Sequence, residues 1–587
     1  MRRAEPGYDL AVPDPVTERP AICLNMIVRN EAHIVGELLG VVAPFIASWV
    51  IVDTGSDDGT PDVIRSRMAT LGIAGELHER PWRSFGQNRS EALALAQGRG
   101  DYIWVIDADD MVVGTPDFSR LGADAYRLHY EKESGLTYWR LQLFRDGLRW
   151  RYDGAVHEYP ACDDPFVEER LGGDYRIESR RLGARSLDPL TYPRDRDLLL
   201  DEVDRNPDDT RSVFYLAQTY FDLGDFLNAR EWYARRVDLG GWGEEVYCAM
   251  VRLAETMSRL GMPWPEVQDA YLQAWEFRPI RAEALYAIAC RYRRDGRYWL
   301  GHLFADRAAK IPLPERDSLF VRADIHAWRA ADEQAVCASW IGKREEAFGL
   351  WRRVLAQPGV PDEDRRRIAA NRDLLVPKML DAASGYPEKL AQGLTTGGRH
   401  AEVTVTLVAG PDLAAAELTL NSFLHCCVDV ERVGRFVVID GGLATEDRAK
   451  LAASYPFLAF SGTGVGLMEI RDQIRGPFWL HLGEGWRFFA PERLITRLSA
   501  VLAAEPEVFQ VGVNFADAAQ LATGGAADHA ARRATEAGGY VLTDAVATGP
   551  AMFDTARLDR AGIGEPGPRA AKLQTASLDE VLCIRTV

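Results

Sequence analysis

The stretch that decides the fold of this chain runs from Asp101 to Asp110 and reads DYIWVIDADD. Its apolar half has the character of a buried β-strand, and three carboxylates, Asp107, Asp109 and Asp110, follow it. Like charges at the end of a buried strand are costly unless a positive group lies beside them. A divalent cation such as Mg²⁺ or Mn²⁺ would meet that need, because hard cations prefer oxygen ligands. By itself the stretch is equally compatible with a solvated loop after a core strand, so the surrounding sequence has to decide.

Around this stretch, residues 21–190 show strands and helices that alternate along the chain. The runs AICLNMIV, SWVIVD and YIWVID have strand character, and helical patterns separate them. This alternation predicts an α/β domain with a mostly parallel, doubly wound sheet. Ligands bind at the carboxyl ends of the strands in such sheets, so Asp53 and Asp107 should lie on the same edge.

The composition narrows the class of protein. At 587 residues the chain exceeds one hydrophobic core, and about three or four domains are expected. A net charge of -18 argues against nucleic acid as the main partner. The eight cysteines show no CxxC spacing, and no apolar run approaches the length of a membrane span, so a reduced, cytoplasmic protein is expected. Residues 1–20 are rich in proline and charge, which predicts a disordered lead-in.

Residues 191–380 change to helical patterns of the tetratricopeptide (TPR) type. Glycines 224, 261 and 296 stand 37 and 35 residues apart, near the period of about 34 that this repeat has. The next interval, to Gly342, is 46 residues, so the array is irregular or carries an insertion. Such an array offers a concave face for a partner, but a spacer or a dimerisation surface fits equally well.

After a polar linker at residues 381–400, the α/β alternation returns over residues 401–587. Asp440 ends the strand FVVID, in the position that Asp53 has after WVIVD. The sequence LGEGW, with Glu484 as its single carboxylate, stands where the acidic cluster is expected. The pattern predicts a second copy of the first α/β fold that has lost its metal site.

Five motifs in the first domain occur together in one order. The motifs are MIVRNEA (residues 26–32), VDTGSDDGT (52–60), FGQNRSEAL (85–93), DADD (107–110) and GAVHE (154–158). The agreement of five motifs is far more specific than any one of them. This set resembles that of family 2 glycosyltransferases with the GT-A fold, a Rossmann-like fold for nucleotide-diphospho-sugars, and in particular the bacterial subgroup with TPR-like repeats behind the catalytic domain.

The resemblance implies which residues bind the nucleotide-diphosphate donor. Asp53 would accept hydrogen bonds from the base or ribose, and Arg89 would bind the diphosphate or hold an aspartate in place. Glu31 is equally compatible with a carboxylate at a helix start. Asp57 and Asp58 are typical of a turn and a helix cap. The implied donor-binding residues are Arg29, Asn30, Glu31, Asp53, Arg89 and Asp107.

The resemblance also implies a metal site and a catalytic base. Asp109 would bind Mn²⁺ or Mg²⁺, with His157 as a further ligand, and the ion would neutralise the leaving diphosphate. An inverting transferase needs a carboxylate to take the proton of the acceptor. Glu158 and Asp153 both qualify by type and location, and the sequence does not separate them.

The expected function is therefore a metal-dependent, inverting glycosyltransferase. Its partners would be a nucleotide-diphosphate sugar donor and a protein, peptide or surface-glycan acceptor, and a homo-oligomer stays open. One alternative is a TPR-based scaffold whose transferase domain is a relic. Another is a bifunctional enzyme in which both α/β domains transfer sugar.

Overall fold

The computed structural model describes residues 19–132, 137–154, 156–180, 182–357, 359–396, 402–461, 470–471, 474–521, 532–561 and 574–586. The predicted lead-in lies outside the described residues up to residue 18. The chain divides into two compact units. The first unit comprises Met1–Ile288 and Lys310–Ala327, and the second comprises Ala289–Ala309 and Trp328–Val587.

The first unit begins with a parallel block of four strands in the order β3-β2-β1-β4, and strands occur at all three predicted runs. Alternate residues of β1 face opposite sides, so that Leu24 packs in the core of α1 and α2 while Cys23 packs in that of α3. The elements are β1 (Ile22–Val28), α1 (Val35–Val42), β2 (Ser48–Asp53), α2 (Thr60–Leu71), β3 (Gly75–Glu79), α3 (Phe85–Ala96) and β4 (Tyr102–Val105).

Beyond β4 two antiparallel strands, β7 and β5, enter the sheet, while the other seven of its nine strands run in one direction, as the prediction of a mostly parallel sheet requires. The order continues β4-β7-β6-β11-β5, with β7 antiparallel to β4 and β10 beside β6, while β8 and β9 form a separate hairpin. β7 follows β6 directly along the chain and pairs antiparallel with it, whereas β10 and β11 pair parallel with β6. The strands are β5 (Asp110–Pro116), β6 (Ala125–Lys132), β7 (Thr137–Arg145), β8 (Trp150–Asp153), β9 (Tyr159–Cys162), β10 (Glu168–Arg170) and β11 (Gly173–Ser179).

Helices follow from residue 184, and each of the four predicted glycines stands in a turn between two of them. Glycines 224, 261, 296 and 342 have φ of +77°, +71°, +71° and +84°, the left-handed conformation that ends a helix. The helices are α4 (Ala184–Leu187), α5 (Thr191–Arg205), α6 (Thr210–Asp222), α7 (Phe226–Leu239), α8 (Gly243–Arg259), α9 (Trp264–Phe277), α10 (Glu283–Arg294), α11 (Tyr298–Ala309), α12 (Ala330–Trp340) and α13 (Arg344–Leu355).

The long glycine interval has a structural explanation. Between α11 and α12 the chain forms an irregular insertion, residues 310–322, and then a π-helical turn, Ile325–Arg329. The insertion belongs to the first unit, although α11 belongs to the second. Three more helices follow: α14 (Asp362–Asp373), α15 (Val376–Ala382) and α16 (Glu388–Thr396). The last of them lies within the predicted linker, and the predicted domain limits stay predictions.

The second unit contains a nine-stranded sheet whose first part repeats the strand order of the first. Four parallel strands, β14-β13-β12-β15, are followed by antiparallel β20, just as β3-β2-β1-β4 is followed by β7. The elements are β12 (Val403–Ala409), α17 (Leu413–Cys426), β13 (Val433–Asp440), α18 (Thr445–Ser454), β14 (Leu458–Phe460), β15 (Phe478–His481), β16 (Trp486–Phe488), α19 (Leu494–Ala504), β17 (Val508–Gly512), β18 (Arg532–Thr535), β19 (Gly538–Thr543), β20 (Ala551–Asp554), α20 (Thr555–Ala561), β21 (Gln574–Leu578) and β22 (Cys583–Arg585).

The register of the two sheets aligns their strand ends residue by residue. Val403 pairs with Phe478 as Ile22 pairs with Tyr102. Counted from these pairs, Gly483 and Gly485 take the places of Asp107 and Asp109. Glu484 takes the place of Ala108, between the two aspartate positions.

Candidate active site

A cavity of about 1990 Å³ opens in the first unit, beyond the carboxyl ends of β1 and β4. Its other wall consists of residues from the starts of α6 and α8 and from the insertion. It brings together eight of the ten predicted site residues: Arg29, Asn30, Glu31, Arg89, Asp107, Asp109, His157 and Glu158. The other two, Asp53 and Asp153, do not line it.

The loop after β1 is fastened to the loop after β2. Asn30, at φ +57°, donates its backbone N–H to Ser56 Oγ at 2.9 Å and accepts the backbone N–H of Asp57 with its side-chain oxygen at 2.9 Å. Asp58 accepts the N–H of Thr60, as the turn-and-cap interpretation predicts. The side chain of Asn30 therefore shapes this loop, while exposed Arg29 lies beside it in the cavity wall.

Asp53 lies in a separate small cavity of about 340 Å³. It is buried, and its Oδ1 accepts the backbone N–H groups of Gly55 and Ser56, each at 2.9 Å. Gly55 has φ +104°, which this tight turn requires. The Oδ2 atom of Asp53 is buried and has no hydrogen-bond partner among the described residues. This oxygen can accept one N–H or O–H donor from a ligand.

Arg89 is a buried cation that joins two of the predicted acids. Its Nε donates to Glu158 Oε1 at 2.6 Å, and its Nη2 donates to Asp107 Oδ1. Arg140 donates to the other oxygen of Asp107 at 3.0 Å. Burial alone would raise the pKa of Asp107, but the two guanidinium groups outweigh it and hold that pKa well below its usual range. Asp107 is therefore an anion fixed by two arginines.

Arg140 is a site residue that sequence reasoning missed. It lies on β7, the strand antiparallel to β4, and its contact with Asp107 depends on that pairing. The signal was present as an arginine inside the apolar strand pattern YWRLQLF, since a charge in a half-buried strand needs a partner.

Asp109 and Glu31 converge on the same point from different loops. Asp109 Oδ2 accepts the N–H of Gly183 at 3.4 Å, and Glu31 Oε1 accepts the N–H of Ala184 at 3.3 Å. A Cβ on Gly183 would lie 3.1 Å from Glu31 Oε1 and 3.3 Å from Asp109 Oδ2. A larger residue at position 183 would therefore press closely against both carboxylates.

Neither acid forms an ion pair among the described residues, although Arg180 donates to the backbone carbonyl of Asp109 at 3.3 Å. Burial, with a further contribution from Asp107, raises the pKa of Asp109. Burial likewise raises the pKa of Glu31 to about 7, and Glu31 Oε2 is buried without a partner among the described residues. Carboxylate oxygens in this state suit a hard divalent cation. Within the described residues, no group of three or more His, Cys, Asp or Glu side chains forms a metal-binding cluster.

Asp110 lies on the other side of the strand end from the cavity. It is buried and accepts a hydrogen bond from the hydroxyl of Tyr130 at 3.1 Å. Burial, together with Asp107, raises its pKa well above the usual value. The sheet, rather than the cavity, surrounds this third carboxylate of the acidic cluster.

His157 is attached to the first repeat helix. It has φ +55°, and its ring stacks on Tyr215 of α6 with the ring centroids 4.0 Å apart. Its carbonyl oxygen accepts two hydrogen bonds from Arg211, at 3.0 and 3.2 Å. Asp153 is paired with Arg151 at 2.9 Å, outside the cavity lining. The loop that carries Glu158 is thus fixed to the helical repeat.

Removal of the Glu31 charge should stabilise the metal-free protein at high pH only. The pKa of Glu31 is about 7 in the folded protein, and an unfolded chain has about 4.3. Between these values the folded state binds more protons, so stability falls as the pH rises. We expect Glu31→Gln to raise the melting temperature in EDTA at pH 8 and to change it little at pH 4. Equal shifts at both pH values would contradict this account.

Comparison with known proteins identifies the class of the first domain. Residues 26–121 match the family model described as Glycosyl transferase family 2. The matched range contains four of the five motifs and confirms the resemblance over those residues, while GAVHE (154–158) lies beyond it. No described helix has the length and apolar character needed to cross a membrane.

The other comparisons found a curated protein and solved structures that are similar to part of this chain. A TPR repeat-containing protein of Synechococcus elongatus is 35% identical over 92 residues, which are 16% of this chain and 21% of that protein. The chain thus spans about a fifth of the length of this curated relative. A crystal structure of MamA has 17% identity and TM-score 0.23, covering 28% of this chain and 87% of that one. BtubC from P. vanneervenii has 14% identity and TM-score 0.27, covering 33% and 84%.

Proposed function

We propose that this protein is a metal-dependent, inverting glycosyltransferase. It would move a sugar from a nucleotide-diphosphate donor to a protein, peptide or glycan acceptor. The observation that carries the proposal is a pair of carboxylates, Glu31 and Asp109, that form no ion pair among the described residues and line one cavity with Asp107. An anionic diphosphate and its cation would supply the charge that these groups lack.

The residues fit a bound Mn²⁺ or Mg²⁺. Asp109 and Glu31 would hold the ion, and His157 is a further candidate because it lines the same cavity. The ion would neutralise the charge that develops on the leaving diphosphate. Glu31 then has a different role from the nucleotide contact that the resemblance implies.

The donor itself would be held by residues on either side of the ion. Asp53 Oδ2 would accept an N–H of the base, since this buried oxygen is unpartnered among the described residues. Asp107, fixed by Arg89 and Arg140, would orient a ribose or sugar hydroxyl. The base would then lie in the small cavity of Asp53, and the sugar in the larger cavity.

Of the two predicted bases, the cavity favours Glu158. Glu158 lines it and Asp153 does not. Arg89 binds Glu158 Oε1, and no hydrogen bond to Oε2 occurs among the described residues. That second oxygen is the atom that would take the proton of the acceptor.

We propose that the second sheet is a GT-A-like copy without catalytic activity. Asp440 forms the same kind of turn as Asp53, because its Oδ1 accepts the N–H groups of Gly442 and Leu443 at 3.0 Å. Its Oδ2, however, is bound by Arg448 at 3.4 Å. Glycines stand at the positions of Asp107 and Asp109, so the second sheet has no aspartate there to bind a metal ion. Arg448 occupies the Asp440 oxygen that would bind the nucleotide base. This argues against the bifunctional alternative.

A thermal-shift screen of nucleotide sugars, with and without Mn²⁺, tests the proposal. The correct donor at a hundredfold excess over its Kd should stabilise the protein by about 2.7 kcal/mol. Asp53→Asn should weaken the response, since an amide offers the base a different donor pattern. Asp153→Asn, outside the cavity, is the matched control and should respond like the wild type. If no nucleotide sugar stabilises the wild type, this result would favour the alternative of a TPR-based scaffold with a relic transferase domain.

A further inference from the structure

The cavity is larger than one donor requires, and its far end is formed by the helical repeat. Ligand pockets commonly have volumes of about 300–1000 Å³, and this one has about 1990 Å³. The additional wall comes from Tyr215 of α6, Trp242 and Glu244 at the start of α8, and the insertion. We propose that this end is the acceptor subsite and that it takes a pyranose ring. The inference rests on the proposed transferase function.

The insertion is held rigidly against the repeat by buried charges. Glu244 accepts the backbone N–H groups of Ser318 and Leu319 at 2.7 and 2.8 Å. Arg281, almost fully buried, donates to the carbonyls of Leu319 and Phe320 at 3.2 and 3.1 Å and pairs with Asp317. Because backbone groups on three consecutive residues are fixed, the insertion presents its side chains in one arrangement.

Phe320 is strained and exposed at this place. Its φ is +48°, a conformation that a bulky residue adopts only when the surroundings impose it. Of the non-glycine residues with left-handed φ in the described ranges, three line this cavity: Asn30, His157 and Phe320. Strain of this kind concentrates at functional sites. The Phe320 side chain is nevertheless 44% exposed.

Two more exposed aromatic rings surround the same end. Trp242 is 46% exposed and Tyr159 is 42% exposed, and both line the cavity. Arg211 lies over the ring of Tyr159 and Phe214 stacks with Phe320, so Trp242 is the ring among these three with no such contact among the described residues. Exposed aromatic side chains in a cavity offer binding area at little entropic cost. The C–H faces of a pyranose match such rings, and its hydroxyls can reach the polar wall.

Most of the charges at this end are already used within the protein. Asp209 caps α6 by accepting the N–H of Arg211, Glu245 pairs with Arg236 at 2.7 Å, and Glu244 binds the insertion. Arg211 itself donates to His157 and lies over the rings of Tyr159 and Tyr215. Arg316 of the insertion differs, because it is exposed, lines the cavity and has no hydrogen bond or ion pair among the described residues. Its guanidinium can donate to the hydroxyl oxygens of a sugar.

Saturation-transfer NMR and turnover assays on the full chain test the subsite. The probes are the p-nitrophenyl glycosides of glucose, galactose, mannose and N-acetylglucosamine, with Mn²⁺ and the nucleotide sugar that stabilises the wild type. Trp242→Ala and Phe320→Ala should each raise the KM for the accepted glycoside about tenfold or more, as removal of a buried aromatic contact does. Hydrolysis of the donor by water should stay within about twofold, because the donor groups are untouched.

Matched controls separate the possible failures. Trp299→Ala removes a tryptophan that is 67% exposed and does not line the cavity, so it should change nothing. If the chain hydrolyses the donor but binds none of the glycosides, the proposed acceptor subsite is refuted and the proposed transferase function is not. Acceptance of a peptide library instead would also overturn it. A chain that neither binds nor hydrolyses any nucleotide sugar would refute both proposals.

Discussion

Replacement of Asp109 by asparagine should lower sugar transfer by about three orders of magnitude. A catalytic divalent ion contributes several kcal/mol of transition-state stabilisation, and each 1.36 kcal/mol corresponds to a factor of about ten. The amide side chain would keep the size of the carboxylate and its proximity to Gly183, but it would bind the ion without charge. The initial rate of donor hydrolysis with Mn²⁺, and the Mn²⁺ concentration for half-maximal rate, measure the effect.

The fold should survive this change. The pKa of Asp109 is raised by burial and by Asp107, so removal of its charge relieves repulsion in the metal-free protein. Asp109→Asn should therefore melt at the same temperature or higher in EDTA. Glu484→Ala should leave the rate unchanged, because Glu484 lies in the second sheet at the position of Ala108, next to that of Asp109. A variant of Asp109 that kept more than about a tenth of the activity would refute an essential metal site here.

Replacement of Arg89 by methionine should have the largest effect on stability. Its side chain is 7% exposed and holds both Glu158 and Asp107. Loss of one partner from a buried ion pair costs about 3–5 kcal/mol, because the remaining charge stays buried and unpaired. We expect a lower urea midpoint for the transition of the first unit, followed by intrinsic fluorescence.

Two variants check the physical reason for this loss. Arg151→Met breaks two exposed ion pairs, with Asp153 and Asp163, whose side chains are 36% and 51% exposed, and such surface pairs each contribute at most about 1 kcal/mol. Adding Glu158→Gln to Arg89→Met should recover part of the loss, since one unpaired charge disappears. If the double variant were less stable by the full sum of both single effects, the network would not be coupled as described.

The parallel half of the first domain was predictable from sequence because its signals are local. Strands β1, β2 and β4 are apolar runs, and the turns after α6, α8, α10 and α12 each contain a glycine with positive φ. The strand order beyond β4 was not, because pairings such as β4 with β7 and β5 with β11 join strands that lie far apart in the sequence.

The candidate site shows the same difference between local signals in the sequence and contacts between distant residues. Motif residues such as Arg89 and Asp107 could be named because they follow strands or lie in recognisable patterns. The approach of Glu31 to Asp109 could not, because it depends on a loop around Gly183 that lies 74 residues beyond Asp109. The aromatic Phe320 could not either, since it lies in an insertion whose place is set by the buried Arg281.

The interleaving of the two units has a practical consequence for anyone who shortens this chain. All five transferase motifs end before residue 160, and α10 ends at Arg294, so a cut near residue 300 looks harmless on paper. Such a fragment would nevertheless lack Lys310–Ala327, which belong to the first unit and supply one side of its cavity. If such a fragment were inactive, the cause would be the loss of this cavity wall and not the loss of the catalytic residues.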